Sequence, residues 1–148
     1  MKLDKQAIYN NCLNIIIDKE DALKKLIAAT RESNNDTKSS MGDKYETSRE
    51  MLQQEINMLE KQLAEINTQH QVLKKIKILE SESVNLGAVV ECELGTFFIA
   101  VGMGEMKVNN KAVMNISVNS PLAKAMLGKK QGESFTMNNK SYTINKIN

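Results

Sequence analysis

The chain has no Trp, and aromatic residues supply only 4% of its 148 positions. Phe97, Phe98, Phe135 and Tyr142 are too thin a supply for an aromatic-lined ligand pocket, which weighs against a peptidyl-prolyl isomerase or chaperone. The one His stands at position 70, and no nucleophile has a plausible base beside it, so the sequence holds no catalytic set of its own. Cys12 and Cys92 are the only cysteines and lack CxxC spacing, which excludes a disulfide framework and a zinc site and predicts reduced thiols. No run approaches the roughly 18 apolar residues of a membrane span. Lys5, Asn10, Asn11 and Asn14 interrupt any secretory h-region, so a soluble cytoplasmic protein is expected.

Net charge is +2, far less basic than domains that coat phosphate backbones. Glycine and proline are scarce in one half only. Residues 1–80 hold one Gly and no Pro, with 13 basic and 13 acidic side chains; residues 81–148 hold six Gly, the only Pro and all three Phe. The shift predicts two parts, a helical arm over 1–80 and a β-rich domain over 81–148. Residues 106–148 carry seven Lys against the single acid Glu133, which reads equally as solvated lysines or as a mildly basic face suited to an acidic protein surface or to nucleic acid.

Leu52, Ile56, Leu59, Leu63, Ile66, His70 and Leu73 follow a 4-3-4-3-4-3 spacing, the pattern of a seam between two helices. A helix from Asp43 to Leu79 is roughly 55 Å long, too long for a compact globule of this size. Upstream, Ile8, Cys12, Ile15, Leu23 and Leu26 form a matching stripe, widened by Ile16, Ile27 and Ala29. The polar loop between them, with its tip near 33–43, permits only an antiparallel return. The same stripes also serve a parallel dimer or larger bundle, the architecture of an oligomeric interaction protein. His70 reads as a register residue, and Tyr45, Met51 and Met58 read as packing groups.

The loop gathers Asp36, Asp43 and Glu46. Two readings stand together. Ser40 or Asp43 caps the second helix, with the acid three residues on closing a capping box. Alternatively, hard oxygen ligands at the end of a long arm help hold Mg²⁺ in another enzyme's active site.

In the second half, runs at 87–94, 96–101, 113–118, 132–137 and 141–147 predict five strands of an antiparallel sheet. Asn109-Asn110 and Asn138-Asn139 are tight-turn pairs. The helix from Ser120 to Leu127 is written in full: Ser120 caps it, Pro121 suits its first turn and Gly128 ends it. Expected core residues are Val89, Leu94, Phe98, Val101, Met114, Ile116, Val118, Leu122, Leu127, Phe135, Tyr142 and Ile144.

Ile116-Ser-Val-Asn-Ser-Pro-Leu-Ala-Lys-Ala-Met-Leu-Gly-Lys129 resembles the C-terminal signature of the Gre family of bacterial transcription elongation factors. Gly132-Glu-Ser-Phe135, Tyr142-Thr-Ile144 and Tyr45-Glu-Thr-Ser-Arg-Glu50 extend the likeness along the chain. The resemblance implies an α+β protein: an antiparallel coiled-coil hairpin, then a small FKBP-like domain with one short helix. It implies a monomeric accessory factor, not an enzyme, that binds bacterial RNA polymerase and inserts its arm into the secondary channel. It implies no membrane partner and no sequence-specific DNA binding. Tip carboxylates would assist Mg²⁺ of the polymerase active site in cleaving backtracked transcripts, with no cofactor bound to the chain alone. Ser117, Asn119, Ser120, Pro121 and Lys124 would meet the partner. Asp36 matches the first acid of the family's tip motif, whereas Ser39 or Ser40 stands where its Glu would be, leaving Asp43 or Glu46 as the second acid. A regulator that occupies the channel without cleavage is the alternative.

Overall fold

In a computed structural model of the chain, residues 4–39 and 46–148 are described. Two long helices, α1 (Lys5–Ser39) and α2 (Glu46–Lys74), precede six strands and a short helix. The chain divides into two compact units, one formed by Asn14–His70 and the other by residues up to Leu13 together with Gln71–Asn148.

The first of these is an antiparallel hairpin. Arg31 pairs with Glu60 and Glu20 with His70, so partners on α1 advance as those on α2 fall back. The α2 seam is as expected: Ile56 and Leu59 are buried, and Leu52, Leu63, Ile66 and His70 are half-buried. On α1 the buried line differs in part, since Ile16 and Ile27 are buried as expected. Ile16, Glu20, Ile27, Thr30 and Asn34 are buried, while Leu26 is 47% exposed. Polar residues fill three of these positions, and a search for apolar periodicity passes over them. Thr30 satisfies its hydroxyl by donating to Leu26 O at 2.8 Å, the i−4 carbonyl of its own helix. Met51 and Met58, expected to pack, are 65% and 61% exposed. They lie outside the buried face of α2. Tyr45 is outside the described residues.

The second unit is built on one six-stranded sheet of β1 (Val89–Cys92), β2 (Gly95–Ala100), β3 (Gly104–Val108), β4 (Lys111–Ser117), β5 (Ser134–Met137) and β6 (Lys140–Ile147), with α3 (Pro121–Met126) after β4. The spatial order is β3-β4-β2-β1-β6-β5. All neighbours are antiparallel except β2 and β4, which are parallel. The sequence predicts five strands and a purely antiparallel sheet. One missed strand explains both differences: β3 carries only two buried apolar residues, and its hairpin with β4 reverses the chain once more, so β4 runs with β2. The two Asn-Asn turns do form, each with φ of 52° and 64°.

Strand alternation gives the sheet two buried faces. Val90, Cys92, Phe97, Ile99, Phe135 and Ile144 pack with Ala123 and Met126 of α3. The Phe135 and Tyr142 rings lie 5.5 Å apart in that core. Val89, Phe98, Ala100, Met106, Val108, Val113 and Asn115 form the opposite face. The start of α1, which belongs to the same unit, meets the β3 side of the sheet: Cys12 Sγ lies 3.8 Å from Met103 Sδ, and Asn11 Nδ2 donates to Lys107 O at 3.4 Å. Leu94, Met114 and Leu127, expected in the core, are exposed. Leu94 sits in the β1–β2 turn and Leu127 where the chain leaves α3, while Met114 is at the β3 end of the sheet and α3 packs at the β5 end. Among the described residues, no helix is long and apolar enough to cross a membrane.

Candidate partner-binding site

The turn from β4 into α3 is fixed by its own serines. Ser117 O accepts from Ser120 N at 3.0 Å and from Ser120 Oγ at 2.7 Å, and Ser117 Oγ accepts from Asn119 N at 3.1 Å. Ser120, extended at φ −67° and ψ 151°, then accepts through Oγ from Ala123 N at 3.2 Å. This is an N-cap that satisfies one of the orphan donors of the first turn, with Pro121 following where no N–H is needed. Ala123 and Met126 anchor the helix to the core.

The far end is clamped too. Gly128 takes φ +78°, which a side chain would resist, and its N–H donates to Val84 O at 2.9 Å. Val84 N donates in turn to Lys129 O at 2.8 Å. Glu133 Oε1 accepts from Lys130 N at 2.8 Å, which steers the chain into β5.

The five residues expected to meet a partner therefore divide by role. Ser117 and Ser120 spend their hydroxyls on the turn and position its backbone. Asn119, Pro121 and Lys124 are exposed beside them. Leu127, 53% exposed at the end of α3, joins this surface although composition places it in the core; its signal is its place directly before the helix-ending glycine. An amide, a cation and two apolar groups on a rigid turn suit contact with a protein surface. Ser120 Oγ is spent on a backbone carbonyl and on the helix cap.

The tip acids fare differently. Asp36 belongs to the last turn of α1, because α1 continues to Ser39 through part of the stretch expected to be loop. Glu46 is the first residue of α2. Asp43 and the capping residues proposed near it lie outside the described residues, as do the side chains of Asp36 and Glu46. Among the described residues, no group of three or more His, Cys, Asp or Glu is placed to hold a metal ion.

Among the described residues, two ionisable groups outside this site are shifted. Burial lowers the Lys5 ammonium, with the negative charge of Glu80 partly opposing it. Its Nζ donates to Leu79 O at 2.6 Å, Asn148 O at 3.1 Å and Ser81 Oγ at 3.3 Å. Burial likewise raises the Cys92 thiol.

Residues 79–148 match the family described as transcription elongation factor, GreA/GreB, C-term. Among solved structures, the GreA factor homolog 1 (Gfh1) protein of Thermus thermophilus is 19% identical, over 92% of this chain and 94% of that one, with a TM-score of 0.38. Gfh1 of Thermus aquaticus is 26% identical, over 86% and 92%, with a TM-score of 0.34. No curated protein matches the chain.

Proposed function

We propose that this chain, whose residues 79–148 match the GreA/GreB C-terminal family, is a Gre-type accessory factor of bacterial RNA polymerase. The observation that carries the reading is the order of parts: the family's C-terminal domain directly follows an antiparallel helical hairpin. The unit holding α3 docks on the polymerase through Asn119, Pro121, Lys124 and Leu127. The hairpin enters the secondary channel, where the enzyme's own Mg²⁺ does the chemistry. Asp36, Asp43 and Glu46 are the residues that would assist that ion with carboxylate oxygens, and Asp36 and Glu46 stand in the last turn of one arm helix and at the start of the other. Such a factor works in the cytoplasm, as a monomer, on an active site that belongs to its partner.

A second reading keeps the docking and drops the cleavage. Ser39 or Ser40 stands where the family motif would carry its Glu, which leaves fewer carboxylates beside Asp36 and favours simple occupation of the channel. Stalled elongation complexes decide between the two. Cleavage stimulated by the wild type and lost in Asp36→Ala, Asp43→Ala or Glu46→Ala supports the first; binding without cleavage supports the second. No binding to polymerase removes both.

A further inference from the structure

The two edges of the sheet, β3 and β5, are finished differently. Each strand belongs to a hairpin whose two-residue Asn-Asn turn has both φ angles positive, the type I′ geometry in which the residues flanking the turn form a hydrogen-bonded pair. Counting back from that pair, the ladder alternates, so Lys107 on β3 and Ser134 and Thr136 on β5 direct their N–H and C=O groups outward. The bonds beyond β5 agree: Ile144 N donates to Glu133 O at 2.9 Å and Gly132 N to Ile144 O at 2.7 Å, which leaves Ser134 facing away from β6. On β3, Asn11 Nδ2 reaches the outward carbonyl of Lys107. On β5, no hydrogen bond from the described residues reaches the outward groups of Ser134 or Thr136.

Open edges invite another strand, and proteins commonly guard them with proline, a covering element or charge. Among the described residues, β5 has no proline and is flanked by charge. Lys130 precedes β5 and Lys140 faces its last residue across the turn, both exposed. The single acid of residues 106–148, Glu133, is engaged with Lys130 N. We propose that the β5 edge is a strand-addition site for an extended acidic segment of a partner protein. Ser134 and Thr136 offer two N–H donors and two C=O acceptors at strand spacing, and main-chain bonds of this kind supply affinity while flanking side chains supply selectivity. A second copy of this chain is the wrong occupant: antiparallel pairing of β5 with β5 would set Lys130 of one copy toward Lys140 of the other, and like charges across a ladder repel. An acidic strand reverses the sign of that term.

The test titrates the ¹⁵N-labelled full chain with an acetylated, amidated octapeptide alternating Glu and Val, and with its Lys/Val counterpart. Saturable amide shifts at Ser134 and Thr136 are expected with the Glu peptide, with about tenfold weaker binding of the Lys peptide. Thr136→Pro removes only an outward donor on an edge strand, so it should keep the fold and abolish the shifts at Ser134. Lys130→Glu with Lys140→Glu should invert the peptide preference, and this variant decides alone if Thr136→Pro loses its β5–β6 cross-peaks. Equal binding of both peptides, shifts confined to another surface, or self-association through β5 would overturn the proposal.

Discussion

Glu20 and His70 meet across the hairpin seam, Oε1 to Nδ1 at 2.5 Å, in a line of residues that is otherwise mostly apolar. The side chains are only 11% and 20% exposed. Removing one partner strands the other. His70→Leu should cost about 1–3 kcal/mol because a buried carboxylate loses the polar group beside it, whereas Glu20→Leu with His70→Leu should regain that loss through apolar packing. Urea unfolding followed by helical circular dichroism, arranged as a double-mutant cycle, measures the coupling. A cycle with no coupling would show that the pair does not hold the seam.

Gly87 and Gly128 both take positive φ, but only one is crowded. A Cβ at Gly87 would meet Ile76 Cγ2 at 2.9 Å, while one at Gly128 meets nothing within 4 Å. Gly128→Ala should cost about 1 kcal/mol from backbone conformation alone. Gly87→Ala should cost more, and trimming Ile76 to Val should return part of the difference. Equal losses at both sites would contradict the packing of Ile76 against Gly87.

The α3 turn separates structure from recognition. Ser120→Ala should lower stability by about 1 kcal/mol by removing the cap. Lys124→Glu, exposed and outside the cap, should leave stability within about 0.5 kcal/mol and yet weaken polymerase binding. Thermal melts and a polymerase pull-down on both variants check the pair. Loss of stability without loss of binding in Lys124→Glu would reverse the assignment.

Alkaline pH should act on the sheet-bearing unit through Cys92 and Lys5 with opposite signs. Burial raises Cys92 above the usual 9.0, so above that pH the unfolded chain loses a proton that the folded one keeps, and stability falls as pH rises. Burial lowers Lys5 below the usual 10.5, so just under that pH the unfolded chain binds more protons and stability rises with pH. Denaturation midpoints across this range should lose their downward component in Cys92→Ala and their upward one in Lys5→Met. The buried thiol should also resist alkylation until the chain unfolds.

What the sequence discloses follows from which physical signals are local. The α2 seam is legible because leucine and isoleucine recur at helical spacing. The α3 segment is legible because its cap, its proline and its terminal glycine are adjacent in the chain, and the Asn-Asn turns because few residues accept positive φ. The α1 stripe is legible in part: Ile8, Cys12, Ile16 and Ile27 are buried as expected, but Glu20, Thr30 and Asn34 occupy buried positions that apolar counting skips. The strand β3 is not legible, because Gly104-Glu-Met-Lys-Val108 is too weakly apolar to announce a strand, and with it goes the parallel pairing of β2 and β4. Leu127 reads as core by composition and is exposed by geometry, since the chain leaves α3 at that residue. Of the candidate site, the serine turn is written in the sequence, while the split between positioning serines and exposed contact residues needed coordinates.

The most direct measurement places a photo-crosslinking residue at Gly42, which falls between α1 and α2 in sequence, and irradiates the chain bound to bacterial RNA polymerase. The account predicts adducts on the walls of the secondary channel and near the active-site metal, competed away by unlabelled chain. Adducts only on the outer surface of the polymerase, with binding intact, would contradict insertion of the hairpin.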